Sequence, residues 1–172
     1  MTIAGLTAPA PLSASHDVEP FACGEPSLDA WLKRHARKNE ASGASRTYVV
    51  CIGTVIVGYY CLAAGAIDRD QAPKPMQRNM PDPIPVMVLG RLAVDRNHQD
   101  KGIGSALLRD AVLRVLQVAD IAGVKAILVH AISEEARAYY LARGFLESPI
   151  QPMTLCLVLD TARQALAGQR AP

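Results

Sequence analysis

The sequence lacks the clustered ligands that would indicate a metal site or a redox centre. Its four cysteines, Cys23, Cys51, Cys61 and Cys156, form no C-x-x-C pair, and its four histidines are scattered along the chain. Metal sites in proteins need grouped ligands at short spacings. We therefore expect reduced cysteines, most of them buried as small apolar residues, and no bound metal.

A strong charge excess and long apolar runs are also lacking. Lys and Arg number 18 against 16 Asp and Glu, and the net charge of +2 does not by itself indicate a nucleic-acid partner. No apolar run reaches the roughly 20 residues that a membrane-spanning helix needs. The first fifteen residues carry no basic segment of the secretory type. We therefore expect a cytoplasmic protein that does not bind membranes.

Length and apolar content predict one domain over residues 1–172. Half of the residues are apolar, enough for a core in a chain of this length. Residues 1–15 are expected to be flexible, and 66–85 form a long, mobile surface loop because five prolines interrupt it. Residues 161–172 are expected to form a short helix or a frayed tail.

Local signals predict the elements of an α/β protein with a mixed sheet. In chain order they are a helix over 27–41, two strands joined by a hairpin at 53–54, strands over 86–94, 124–132 and 153–159, and helices over 102–122 and 133–143. Ser27 and Ser133 are the expected N-caps, and Gly43 and Gly144 the expected helix ends. A bulge is expected at Gly90-Arg91 in the strand over 86–94.

Residues 98–108, HQDKGIGSALL, place two glycines between a buried strand and a helix. N–H groups at a helix start bind phosphate, and glycines let the backbone approach it closely. A Walker loop is excluded because no Lys-Ser or Lys-Thr follows a glycine, and Leu107 stands where a dinucleotide-binding loop has its third glycine. The run Gln99-x-x-Gly102-x-Gly104 instead resembles the acetyl-CoA loop, Gln/Arg-x-x-Gly-x-Gly/Ala, of the GCN5-related N-acetyltransferases (GNAT family).

This resemblance implies a GNAT fold of the α/β (α+β) class, with a mixed central sheet and a bulged strand before the loop. It implies acetyl-CoA as co-substrate and no metal. The residues that it implies for acetyl-CoA binding are Leu92, Ala93, Val94, Gln99, Asp100, Lys101, Gly102, Ile103, Gly104 and Ser105. Residues 136–145, ARAYYLARGF, resemble a second family motif, in which Tyr140 occupies the place of the general acid that protonates the CoA thiolate. A phenol with a pKa near 10 is protonated at neutral pH and suits that role.

A closer resemblance extends from about Val18 to Leu159. Phe21-Ala22-Cys23-Gly24, Leu28-Asp29-x-Trp31-Leu32, Asn39 and Ser45-Arg46-Thr47-Tyr48-Val49 resemble, in order, the acetyltransferase toxins of bacterial toxin–antitoxin modules. This resemblance implies an enzyme that acetylates the α-amine of aminoacyl-tRNA and stops translation. It also implies neutralisation by a ribbon-helix-helix antitoxin and a homodimeric assembly.

The proton chemistry of the acceptor favours an α-amine over a lysine side chain. Freeing a lysine amine at neutral pH costs about 4 kcal/mol, because its pKa is near 10.4, whereas an α-amine with a pKa near 7.7–8.0 costs about 1 kcal/mol. The strand over 86–94 offers no carboxylate as a base, and Asp95 at its end is the first acid. A site without an obvious base suits an α-amine acceptor.

Four cations are predicted to bind the tRNA: Lys33, Arg46, Arg78 and Arg91. Two other functions remain open at this point. One is an acetyltransferase of small amines or protein N-termini. The other is an acyl-CoA-sensing regulator without turnover, which the presence of Tyr140 disfavours.

Overall fold

The computed structural model describes residues 3–170, which form seven strands and five helices. The strands are β1 (Ala10–Pro11), β2 (Arg46–Ile52), β3 (Val55–Ile67), β4 (Ile84–Val94), β5 (Ala126–His130), β6 (Leu146–Glu147) and β7 (Thr154–Val158). The helices are α1 (Pro26–Arg34), α2 (Ala36–Ser42), α3 (Ile103–Ala119), α4 (Glu134–Leu141) and α5 (Leu159–Arg170). Short 3₁₀ turns lie at Arg69–Gln71, Lys74–Met76 and Arg96–His98.

The strands form a mixed sheet in the order β1-β2-β3-β4-β5-β7-β6. β4 and β5 are parallel, with Val86 opposite Ala126 and Val88 opposite Leu128. The pairs β1–β2, β2–β3, β5–β7 and β6–β7 are antiparallel. The sequence-based prediction of a mixed α/β sheet is confirmed.

The described residues divide into two compact units. The first comprises residues 3–63 and 89–111, and the second 64–88 and 112–170. In the first unit, an apolar core joins the N-terminal segment, α1, β2 and β3, and Phe21, Leu32 and Tyr59 are almost fully enclosed in it.

In the second unit, a separate core contains residues from β5 and β7 together with the segment between β3 and β4. Ala72, Met76 and Ile84 are fully buried there beside Leu128 and Cys156. Arg69 makes two hydrogen bonds within this segment. Its guanidinium donates to the Met80 carbonyl, and its backbone N–H donates to the Asp82 carboxylate at 3.0 Å.

The segment over 66–85 therefore differs from the irregular surface loop that its prolines predict. β3 continues to Ile67, β4 begins at Ile84, and two 3₁₀ turns lie between them. Prolines exclude a continuous helix or a central strand, but they do not prevent short turns. Burial of Met76 fixes these turns against the core of the second unit.

The start of the chain also carries more structure than the sequence predicts, and the tail forms a helix, one of the two states predicted for it. Residues 1–2 and 171–172 of the predicted flexible start and tail lie outside the described residues. In the start, Leu6 bridges to Ile52, Ala10–Pro11 pairs with β2, and Leu12 is buried. In the tail, the chain forms α5.

Several local predictions are confirmed with small changes of boundary. Gly53 turns the β2–β3 hairpin with φ of 64°, and Gly43 ends α2 with φ of 79°. Ser133 caps α4, since its Oγ accepts from the Ala136 N–H at 3.1 Å. The single helix predicted over 27–41 is wrong: it is two helices that meet at His35, and Glu25 rather than Ser27 is the N-cap residue of the first. Within residues 3–170, no helix combines the length and apolar character needed to cross a membrane.

Candidate functional site

The glycine loop in the first unit has the backbone of an anion-binding turn. Asp100 and Gly102 adopt left-handed conformations, with φ of 61° and 86°, and α3 begins immediately afterwards at Ile103. The first intrahelical bond runs from the Ala106 N–H to the Gly102 carbonyl at 3.1 Å. N–H groups in the first turn have no carbonyl partner inside their own helix. A left-handed residue before a right-handed helix directs neighbouring N–H groups toward one concave surface.

Side chains of this loop alternate between exposure and packing. Lys101 and Ser105 are exposed, whereas Ile103 and Leu107 are buried in the first unit. The loop is therefore anchored by the apolar residues of α3, while Lys101 remains available to an anion.

Gln99, the first residue of the loop pattern, uses its side chain within the protein. Its Nε2 donates to the Val94 carbonyl at 2.9 Å and to the Cys23 carbonyl at 2.8 Å. Sequence reasoning assigned Gln99 to acetyl-CoA and did not find these bonds. The only sequence signal near these partners is the Phe21–Gly24 motif, which does not predict a bond to Gln99.

Asp95, the first acid after β4, is buried, and both of its carboxylate oxygens accept hydrogen bonds. Its Oδ1 accepts from the Ala22 N–H at 3.1 Å, and its Oδ2 accepts from the Asn97 N–H at 3.1 Å and lies 3.2 Å from His98 Nδ1. Burial by itself raises the pKa of Asp95, but the two N–H donors and His98 outweigh it and hold the pKa below its usual value. Asp95 is thus a structural carboxylate and a poor base.

The residues predicted to bind acetyl-CoA outside the loop lie on β4. Leu92, Ala93 and Val94 follow the part of β4 that pairs with β5, because that pairing runs from Val86 to Val88. Ala93 is buried, and its neighbours on the strand are half-buried.

Tyr140, the predicted general acid, belongs to α4 in the second unit. Its side chain is buried between two aromatic rings, edge-on to Tyr139 at 5.3 Å and tilted to Phe145 at 5.1 Å. Burial, and then the neighbouring Tyr139, raise the pKa of Tyr140 well above its usual value, while Arg143 lowers it slightly. The hydroxyl therefore stays protonated at neutral and mildly alkaline pH.

Three of the predicted tRNA-binding cations lie in the first unit, in different surroundings. Lys33 is exposed on α1. Arg46 is ion-paired with Glu40 at 3.6 Å and also donates to the Glu40 carbonyl at 2.9 Å. Arg91 is half-buried and stacks over the Trp31 ring at 4.4 Å.

The fourth cation, Arg78, is exposed in the second unit, on the segment between β3 and β4. The loop residues, Lys33, Arg46 and Arg91 thus belong to one unit, and Tyr140 and Arg78 belong to the other. Within the described part of the chain, no group of three or more His, Cys, Asp or Glu side chains could hold a metal ion.

Comparisons with known proteins identify the family of the chain. Residues 43–147 match the acetyltransferase (GNAT) domain family. The chain is 48% identical over 166 residues to the tRNA-acetylating toxin of Mycobacterium tuberculosis (strain ATCC 25618 / H37Rv), and the match covers 96% of this chain and 99% of the relative.

Two solved structures of the toxin AtaT resemble the chain over most of its length. AtaT complexed with acetyl-methionyl-tRNAfMet matches with a TM-score of 0.87 and 28% identity, covering 94% of this chain and 99% of AtaT. A mutant of AtaT bound to the C-terminus of the antitoxin AtaR and acetyl-CoA matches with a TM-score of 0.80 and 25% identity, covering 94% and 98%.

Proposed function

Because the chain belongs to the GNAT acetyltransferase family, we propose that it transfers acetyl from acetyl-CoA to the α-amine of aminoacyl-tRNA and so blocks translation. The observation that carries this proposal is the 48% identity, over nearly the full length of both chains, to a tRNA-acetylating toxin. The AtaT complexes with acetyl-CoA and with an acetylated aminoacyl-tRNA support the same two substrates.

The glycine loop binds the pyrophosphate of acetyl-CoA in this proposal. The left-handed Gly102 and the start of α3 present backbone N–H groups to the anion, and exposed Lys101 adds a positive charge. Gln99, Asp100, Ile103, Gly104 and Ser105 complete the loop. Main-chain groups of Leu92–Val94 on β4 bind the pantetheine arm.

Transfer is direct and needs one proton donor. The acceptor amine attacks the thioester carbonyl carbon, so that a C–N bond forms and the C–S bond breaks. The Tyr140 hydroxyl gives its proton to the departing thiolate, and the proton lost by the amine restores the hydroxyl through solvent. The raised pKa of Tyr140 means that its hydroxyl is protonated at neutral pH and holds a proton when the thiolate forms.

An α-amine is the acceptor that this proposal favours. Asp95, the first acid after β4, has its oxygens occupied by the Ala22 and Asn97 N–H groups and by His98. An acceptor with a pKa near 7.7–8.0 needs only about 1 kcal/mol to lose its proton at neutral pH, so a solvent base is sufficient.

The four predicted cations hold the RNA in this proposal. Lys33, Arg46, Arg78 and Arg91 contact phosphates or bases, and Arg91 is held in place by its stacking on Trp31. A ribbon-helix-helix antitoxin neutralises the enzyme, which acts as a homodimer. The relevant support for a protein partner is the AtaT complex with the C-terminus of its antitoxin AtaR. A cytoplasmic location follows from the substrate, because charged tRNA is used at the ribosome.

Acetyl transfer from labelled acetyl-CoA tests this function. We expect transfer to charged tRNA, much less to uncharged tRNA or free amino acids, and a rate that falls steeply with salt because phosphate contacts release counterions. Arg78→Gln should lower the slope of log rate against log salt by about one. Equal acetylation of free amines or a protein N-terminus, or a rate independent of salt, would favour the small-amine enzyme instead.

Tyr140→Phe tests the general acid. It removes one oxygen and keeps the ring, so acetyl-CoA binding should survive while the rate falls by about 10²–10⁴. Tyr139→Phe is the matched control, because the Tyr139 hydroxyl is buried without a hydrogen-bond partner among the described residues. If both variants keep the parent rate, Tyr140 is a packing residue only.

A further inference from the structure

The Phe21–Gly24 segment, whose motif has no part in the chemistry above, is bonded to the turn that leads into the glycine loop. The Ala22 N–H donates to the Asp95 carboxylate at 3.1 Å, and the Arg96 N–H donates to the Ala22 carbonyl at 2.8 Å. Gln99 Nε2 then donates to the Cys23 carbonyl at 2.8 Å. Three bonds therefore join two stretches of chain that are more than 70 residues apart in sequence.

The same segment is also fixed to α1. The Cys23 N–H donates to the Asp29 carboxylate at 2.9 Å. Phe21 is fully buried and meets Tyr59 edge-on at 5.4 Å, while the Tyr59 hydroxyl donates to the Leu28 carbonyl at 2.7 Å. The segment is thus rigid on one side, and it offers Gln99 a fixed point of attachment.

We propose that Gln99 is a positioning residue, whose carboxamide ties the glycine loop to the Cys23 and Val94 carbonyls and so holds the loop in the shape that receives the acetyl-CoA pyrophosphate. This inference rests on the proposed binding of acetyl-CoA by the same loop. Gln99 itself is exposed, so its two bonds do not serve to satisfy a buried amide. Their effect is on the loop, which has two left-handed residues within the next three positions and needs external support.

A loop that is held in its binding shape loses less freedom when the ligand arrives. If only a fraction of the molecules has the competent loop, the observed dissociation constant rises by the inverse of that fraction. Removal of both bonds therefore acts on acetyl-CoA affinity, and the rate at saturating acetyl-CoA is nearly preserved. A residue that merely supports the fold would instead lower the melting temperature and leave the affinity of the folded molecules unchanged.

Three substitutions at one position test the inference by calorimetry with acetyl-CoA on the full chain. Gln99→Leu has no hydrogen-bond donor, and Gln99→Glu keeps the shape of the side chain but places a carboxylate beside both carbonyls. Each variant should raise the dissociation constant for acetyl-CoA about tenfold, because only about one tenth of the molecules would then hold the loop in its binding shape. Gln99→Arg supplies donors for both carbonyls and should restore affinity to within about twofold of the parent. Gln117→Leu, at an exposed position of α3, is the matched control and should bind as the parent does.

The outcomes separate this inference from the function on which it rests. If the parent does not bind acetyl-CoA, the proposed function fails. If the parent binds and Gln99→Leu and Gln99→Glu bind equally well, the positioning role is refuted, as it is if Gln99→Arg shows no recovery. If the variants do not fold, hydrogen exchange on the parent tests the same inference. The carboxamide protons of Gln99 should exchange with solvent much more slowly than those of Gln117. Equal exchange rates would also refute the inference.

Discussion

Gly58 of β3 lies against side chains from the first turns of α3 in the first unit. A Cβ atom at this position would lie 3.0 Å from Leu107 Cδ1, 3.0 Å from Val50 Cγ2 and 3.2 Å from Ile103 Cγ2. All three side chains are buried. Ile103 and Leu107 form the first turns of the helix that follows the glycine loop, so Gly58→Ala should disturb both the fold and the proposed acetyl-CoA site.

The size of the effect follows from two opposing contributions. Added carbon in a packed core typically costs about 1–3 kcal/mol, because the neighbours must leave their preferred rotamers. Replacing a glycine inside a strand by alanine returns about 0.5–1 kcal/mol, because the unfolded chain loses freedom. The three contacts press on one added atom from different residues, so we expect a net loss of about 1 kcal/mol and a fall in melting temperature of about 3 °C.

Thermal unfolding and acetyl-CoA calorimetry together check this prediction. Gly123→Ala is the control, because no described atom beyond Gly123 and its two chain neighbours lies within 4 Å of the Cβ that it would add, and its stability should stay within about 0.5 kcal/mol of the parent. A shift of α3 by a few tenths of an ångström should also weaken acetyl-CoA binding by about threefold to tenfold, since part of the population then holds the loop in a less competent shape. If Gly58→Ala has the same melting temperature as Gly123→Ala and binds acetyl-CoA as tightly as the parent, the packing of α3 against Gly58 places no constraint on the loop.

Two further predictions concern pH. The pKa of Asp95 is lowered in the folded protein, so its contribution to stability is complete above the usual aspartate pKa of about 3.9 and is lost as the pH falls through the folded value. The parent should therefore exceed Asp95→Asn in unfolding free energy at pH 7, and the difference should shrink in urea titrations below pH 4; a constant difference would contradict the ionised state assigned to Asp95. The raised pKa of Tyr140 predicts that kcat has no alkaline fall below about pH 10, the usual tyrosine pKa, whereas an acid limb should follow the acceptor amine near pH 8; a fall near pH 9 would argue against the buried phenol as the donor.

Short-range signals in the sequence predicted most of the large elements. Ser133 caps α4 and Gly53 turns the hairpin because each feature depends on a residue and its immediate neighbours. The sequence does not predict β1 and β6, because each has two residues, too few for an alternating pattern, and each is defined only by its pairing with another strand. The break at His35 was missed because α1 and α2 continue one polar and apolar pattern across it.

The candidate site likewise has features that the sequence predicted and features that it did not. The glycines of the loop and Tyr140 were visible because they stand at fixed spacings in short motifs. The bonds of Gln99 were not, because its partner Cys23 is 76 residues away and contributes only a backbone carbonyl, which any residue carries. The stacking of Arg91 on Trp31 is likewise a contact between two elements, β4 and α1. The position of Arg91 in an apolar strand predicted a functional cation but not its aromatic partner.

Within the glycine loop, the backbone and the side chains have separate tasks. The N–H groups that an anion would meet are backbone groups, so the chemistry of binding places no demand on most side chains of the loop. Those side chains are then free to hold the backbone in place: Gln99 bonds to two carbonyls, and Ile103 packs beside Gly58. Lys101, exposed between them, is the one side chain of these three that remains to meet a ligand charge. Specific recognition of the phosphate is therefore expected to depend as much on the residues that support the loop as on those that touch the ligand.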